Sequence, residues 1–175
     1  RMSWVLVAVA AYFLNAITPV IDKFLLGNRI PNPTAYTFYV GLLSIAAVVV
    51  APFGLIWPGT VQFLVSLTSG ALFLSGLYVF FIALKRQEAS RVIPVVGAFV
   101  PLVVSILAYL WLGERLDRYQ MIAFILLVLG GVLMSMERGT WRLSGRKILV
   151  PLAAANLMGA SYVLLKGLLD YQPFV

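Results

Sequence analysis

Residues 5–26 read VLVAVAAYFLNAITPVIDKFLL, and residues 148–169 read ILVPLAAANLMGASYVLLKGLL. At a constant offset of 143 residues, Leu6, Val7, Ala10, Ala11, Leu14, Val20, Lys23, Leu25 and Leu26 meet identical partners, 9 of 22 positions. Ala16 meets Gly159 and Thr18 meets Ser161 as small-for-small exchanges. Apolar helices match in part through composition, so the Lys-x-Leu-Leu ending and the Thr/Ser alignment carry most of the information. Four more apolar stretches lie between the copies. If five spans fill one repeat, the second copy enters the bilayer from the opposite side, the signature of an inverted-repeat transporter. The expected organisation is a first five-helix repeat over 2–137, an inter-repeat loop over 138–147, and the first helix of a truncated second repeat over 148–175. Either the remaining second repeat or a second copy of the chain is then an expected partner.

The composition agrees with a membrane protein. The chain is 62% hydrophobic and 11% charged, against roughly 25% charged in ordinary soluble domains. About 20 apolar residues cross a bilayer, and six stretches qualify: about 4–26, 35–57, 62–84, 92–112, 119–136 and 148–169. The expected fold class is therefore all-α and polytopic, with about six transmembrane helices and the lipid bilayer as surroundings. The first stretch is too long for a cleavable signal, and no small-residue cleavage site follows it. Cysteine and histidine are both absent, which removes disulfides, thiol nucleophiles and histidine metal sites. The net charge of +7 is scattered over short loops rather than gathered into a basic stripe. It reads as orientation charge and not as a nucleic-acid surface.

Turn residues mark the connections: Gly27–Pro33, Trp57–Thr60, Lys85–Arg91, Gly113–Arg118 and Glu137–Lys147. Trp4, Trp57 and Trp111 fall on one face of the bilayer, where indole rings prefer the headgroup interface. That face carries 4 basic residues (Arg1, Arg115, Arg118, Lys166) and the opposite face carries 9. The positive-inside rule then puts the N-terminus outside. Small residues four apart, Ser66/Gly70, Ala71/Ser75 and Ala155/Gly159, with the pair Gly130-Gly131, suggest helix-packing seams.

Residues 83–132 carry a resemblance. Ala83-Leu84 closes helix 3, Ala89-Ser90 follows, and a helix 4 containing Pro101 ends in Leu112-Gly-Glu-Arg-Leu116. Helix 5 then ends in Leu129-Gly-Gly-Val132. In order and spacing this resembles the EamA-type domain of the drug/metabolite transporter superfamily. The resemblance implies ten helices in two inverted halves, with a central cavity lined mainly by helices 1, 3 and 4 of each half. It also implies a cytoplasmic N-terminus, opposite to the loop charges. Two positions depart from the pattern: Arg91 stands where a small or apolar residue is usual, and the 2–3 loop lacks a basic cluster.

The acidic residues Asp22, Glu88, Glu114, Asp117, Glu137 and Asp170 all read as helix-end or loop positions. No carboxylate is then expected at bilayer depth, where an ionisable group marks function. Cavity candidates are instead uncharged. Asn15 and Thr18 share a face of helix 1, and Pro19 removes a hydrogen bond to the Asn15 carbonyl. Asn156, Ser161 and Tyr162 occupy the matching turn of helix 6. Ser75 and Tyr78 share a face of helix 3, and Gly97 and Pro101 share one of helix 4. Each also has a plain reading as helix packing or an inter-helix hydrogen bond. Lys23 and Lys166, equivalent in the repeat, either snorkel to the interface or mark opposite mouths of a pathway.

The expected function is a permease that moves small-molecule metabolites by alternating access. The expected location is a prokaryotic cytoplasmic (inner) membrane. A non-transporting membrane scaffold or assembly protein is the alternative. An embedded enzyme is a weaker one, since no clustered His or paired carboxylates are present to carry chemistry. No cofactor or metal is indicated.

Overall fold

The computed structural model describes residues 3–46, 59–113, 117–135 and 145–169. They form six helices: α1 (Ser3–Asn28), α2 (Pro33–Ser44), α3 (Thr60–Arg86), α4 (Ala89–Leu112), α5 (Arg118–Ser135) and α6 (Gly145–Leu169). Among the described residues there is no β-strand. Val5–Asn28, Thr60–Arg86, Ala89–Trp111 and Ile148–Leu168 are each long and apolar enough to cross a membrane. The 27 residues of α3 rise about 40 Å, more than the ~30 Å hydrocarbon core. α5 contributes a shorter apolar run, Arg118–Gly131. Of the expected second span, only the part through residue 46 is described. Trp57, Glu114, Arg115 and the loop from 137 to 144 lie outside the described residues.

Helix ends follow local chemistry. The Asn32 side chain accepts the Thr34 backbone N–H at 3.0 Å and Pro33 fills the first position of α2, a favourable N-terminus. α4 closes on Gly113, whose φ of 68° is the left-handed conformation that glycine adopts without cost. The link between α3 and α4 is shorter than the expected 85–91. Only Gln87 and Glu88 are non-helical, both extended. Lys85 and Arg86 stay in the last turn of α3, where cations meet the negative end of the helix dipole. Ala89, Ser90 and Arg91 form the first turn of α4, with Glu88 3.5 Å from Arg91.

α6 is seated against both α3 and α4, α5 lies on α4, and α2 on α3, while α1 touches α3 and α4 only lightly. Lipid tails supply no hydrophobic drive between helices, so close backbone approach has to hold such a bundle. A Cβ added at Gly159 would lie 2.6 Å from Val103 Cγ1 of α4, and one at Gly76 would lie 2.8 Å from Met158 Cγ of α6. At Gly131 a Cβ would lie 2.6 Å from Ala98 Cβ. The Ala155/Gly159 pair is buried, as a seam requires. In α3 the seam differs from the expected one: Ser66, Gly70, Ala71 and Ser75 are exposed, whereas Ser69 and Gly76 meet α6.

The tightest core sits where α1 ends, α2 begins and the α3–α4 link turns. Leu26, Tyr36, Phe81, Leu84 and Val92 gather there, joined by Ala154 and Met158 of α6. Tyr36 meets the Phe81 ring edge-on at 4.8 Å. Outside this core α1 is open. Ala11, Tyr12, Asn15, Ala16, Thr18 and Val20 are exposed, although their repeat counterparts Ala154, Ala155, Met158, Gly159, Ser161 and Val163 are all buried.

Candidate functional site

α2 and α3 run antiparallel, since Tyr36 meets Phe81 at one level and Gly41 faces Leu74 at another. Between them opens a groove of about 590 Å³, which Leu157 of α6 also lines. Its wall from α2 and the following turn is Thr34, Thr37, Phe38, Gly41, Leu42 and Ile45; its wall from α3 is Leu74, Ser75, Tyr78 and Val79. No charged side chain is among these residues. Thr34, Thr37 and Tyr78 lie toward the end where α3 finishes, Ser75 lies at the level of Leu74 and Gly41, and Leu42 and Ile45 lie deeper. Gly41 keeps the groove open, because its missing side chain leaves Leu74 as the nearest neighbour, 3.4 Å from where a Cβ would stand.

Two of the hydroxyls are turned back onto their own helices. Ser75 Oγ donates to the Ala71 carbonyl at 2.8 Å, and Thr37 Oγ1 donates to the Pro33 carbonyl at 2.8 Å. Their protons are engaged and their lone pairs face outward. Tyr78, 38% exposed, brings a phenol that both donates and accepts.

The other sequence candidates are dispersed. Asn15 and Thr18 lie on the open face of α1, with Thr18 Oγ1 donating to the Leu14 carbonyl at 2.9 Å. Gly97 is exposed with nothing near a would-be Cβ, and the half-buried Pro101 accepts Ser105 Oγ at 2.8 Å. Asn156 is exposed and donates to the Leu152 carbonyl at 2.9 Å. Ser161 is buried against Ser69 of α3, an inter-helix bond. Tyr162, one residue on, tilts against Phe73 at a centroid distance of 5.8 Å. The structure thus brings Ser75 and Tyr78 together in one groove and leaves Asn15, Thr18, Gly97, Pro101, Asn156, Ser161 and Tyr162 outside it.

Lys23 does not reach away from the bundle. Its ammonium donates to the Leu84 carbonyl and, at 2.7 Å, to the Gln87 carbonyl. These acceptors end α3, where unsatisfied carbonyls and the helix dipole favour a cation. Lys166 stands in the last turn of α6, partly exposed. Asp22 belongs to the last two turns of α1. It stands six residues inside the end of α1 and accepts the Tyr36 hydroxyl at 2.6 Å. Sequence reading also passed over Thr34, Thr37 and Ser69. The available signal for the first pair was a Thr-x-x-Thr spacing at the start of an apolar helix.

Apolar helices of spanning length, joined by short links, define an integral membrane protein of the polytopic helical class. Over residues 2–136 the chain matches the EamA-like transporter family, and it belongs to that family. No curated protein and no solved structure matches it.

Proposed function

We propose that this transporter moves a small metabolite by alternating access between inverted repeats. On this reading residues 2–137 are the first repeat and α6 opens the second. The observation that carries the reading is the contrast between two helices of matching sequence. α6 nests between α3 and α4 through Ser161 and Gly159, while the corresponding face of α1 stands open. An inverted second repeat would present its own pair of helices to that face of α1, giving a pseudo-two-fold unit with a midplane pathway. The α2–α3 groove, with Ser75 and Tyr78, is the part of that pathway contributed by this repeat. Asn15 and Thr18, whose counterparts Met158 and Ser161 are buried, would meet the second repeat, or a second copy standing in for it, beside that pathway. A prokaryotic inner membrane suits such a permease. The family is one of transporters, which favours transport over a scaffold or an enzyme.

Single cysteines at Ser75 and Tyr78, both in the groove, test the reading, since the chain has no native cysteine. In sealed vesicles of known sidedness, alternating access requires both positions to react with a water-soluble thiol reagent. The reactive side should switch as the pathway opens to one face or the other. Failure of both positions to react from either side would exclude a pathway here.

A further inference from the structure

We propose that the α2–α3 groove selects neutral amphipathic solutes that carry a hydrogen-bond donor, indole-like or phenol-like molecules rather than ions. The inference rests on the reading of this groove as part of the solute pathway and adds the class of solute.

Its lining contains neither a cation nor a carboxylate, and an ion entering such a surface gives up hydration with no opposite charge to replace it. Charged solutes are therefore disfavoured at either sign. The donor requirement comes from the hydroxyl geometry. Ser75 and Thr37 direct their protons at the Ala71 and Pro33 carbonyls of their own helices. What they offer the groove is acceptor capacity. A ligand N–H or O–H satisfies those lone pairs, whereas a ligand bearing only acceptors has just the Tyr78 and Thr34 hydroxyls to draw on. The apolar body has a place too. Because α2 and α3 are antiparallel, Leu42, Ile45 and Leu74 lie deeper than Thr37 and Tyr78, and Gly41 leaves room between them. A flat ring fits this groove, its donor at the Thr37 or Ser75 oxygen and its face against the aliphatic wall.

The test uses the full chain in lipid nanodiscs with Leu74→Cys as reporter, which keeps every hydroxyl in place. Labelling by a water-soluble thiol reagent is timed in the presence of indole, 1-methylindole, indole-3-acetate and tryptamine at equal concentration. Indole is expected to protect about fivefold better than 1-methylindole, the effect of one hydrogen bond. Simple partitioning into lipid gives the opposite order, because the methylated compound is the more lipophilic. Both charged analogues should protect less than indole, and the added pair Ser75→Ala and Thr37→Val should bring the indole preference close to one. Equal protection by 1-methylindole, or stronger protection by either ion, overturns the solute class while leaving the groove as a pathway. A reporter that never labels shows the groove closed to water, and then the pathway reading falls together with this inference.

Discussion

Ser69 of α3 and Ser161 of α6 exchange hydrogen bonds: each hydroxyl donates to the other's backbone carbonyl at 2.9 Å, and the two Oγ atoms lie 3.1 Å apart. Both residues are buried. The exchange needs a close approach of the two backbones, which Gly76 permits by leaving space for Met158. Polar contacts between membrane helices are worth about 0.6 kcal/mol on average and up to ~1.7. Ser69→Ala and Ser161→Ala should each lower stability by roughly that amount. The double variant should cost close to the sum, because each hydroxyl donates to a backbone carbonyl that the other substitution leaves in place. Reversible unfolding in mixed micelles measures all three, and a double-variant cost well below the sum would show that the shared Oγ–Oγ contact, and not the two carbonyl bonds, holds the pair.

Thr18, the repeat counterpart of Ser161, gives the matching control. It is exposed and bonded to its own helix, so Thr18→Ala should leave the stability of this chain within about 0.5 kcal/mol of the parent. If the same change weakens a form that contains a second repeat, Thr18 is the site where that repeat receives α1. No loss in either form would remove the support that the repeat contrast gives to the inverted architecture.

Two glycines separate packing from openness. Gly159→Leu places a side chain where a Cβ already comes within 2.6 Å of Val103, and the resulting overpacking should cost about 1–3 kcal/mol. Gly97→Ala meets nothing within 4 Å and should be neutral or stabilising by up to ~1 kcal/mol from helix propensity. A thermal melt in detergent that ranked the two the other way would contradict the α4–α6 contact.

How much of this was legible in the sequence depends on the physical signal each feature leaves. Spans of about twenty apolar residues gave α1, α3, α4 and α6 nearly at their observed limits, because length against bilayer thickness is a strong constraint. Which face of a helix meets protein was legible at Ala155/Gly159 of α6 but not in α3. Lipid and helix interior are equally apolar, so Ser66, Gly70, Ala71 and Ser75 resemble a seam as well as Ser69 and Gly76 do. Pairing across helices was equally hidden. Ser75 and Tyr78 share a face by their spacing, but Thr37 opposite them, and Tyr36 opposite Asp22, required the fold. The short link at Gln87–Glu88 escaped because charged residues read as loop even when they are good helix formers.

Lys23 ties α1 to the end of α3 through the Leu84 and Gln87 carbonyls. Lys23→Met keeps the apolar stem and removes both bonds, so it should destabilise the chain by about 1.5–3 kcal/mol, the range of hydrogen bonds to a charged group. Lys23→Arg should recover part of the loss. A stable Lys23→Met variant with altered uptake of charged solutes would instead support the pathway-mouth role.

Orientation is decided by charge against family precedent, and the fold tells where to place the probes. Gly59 adopts φ 98°, a conformation in which a cysteine is strained, so Thr60, exposed at the start of α3, is the better site. Ser90, exposed in the first turn of α4, reports the opposite face. With 9 basic residues on the Ser90 side and 4 on the Thr60 side, the positive-inside rule predicts that a membrane-impermeant maleimide labels Thr60→Cys in intact cells and spares Ser90→Cys. The reverse pattern would restore the cytoplasmic N-terminus that the family resemblance implies. It would also show that assembly, and not the local loop charge, orients this repeat. Labelling of both positions would mean that the chain inserts in two senses, as an inverted pair of copies requires.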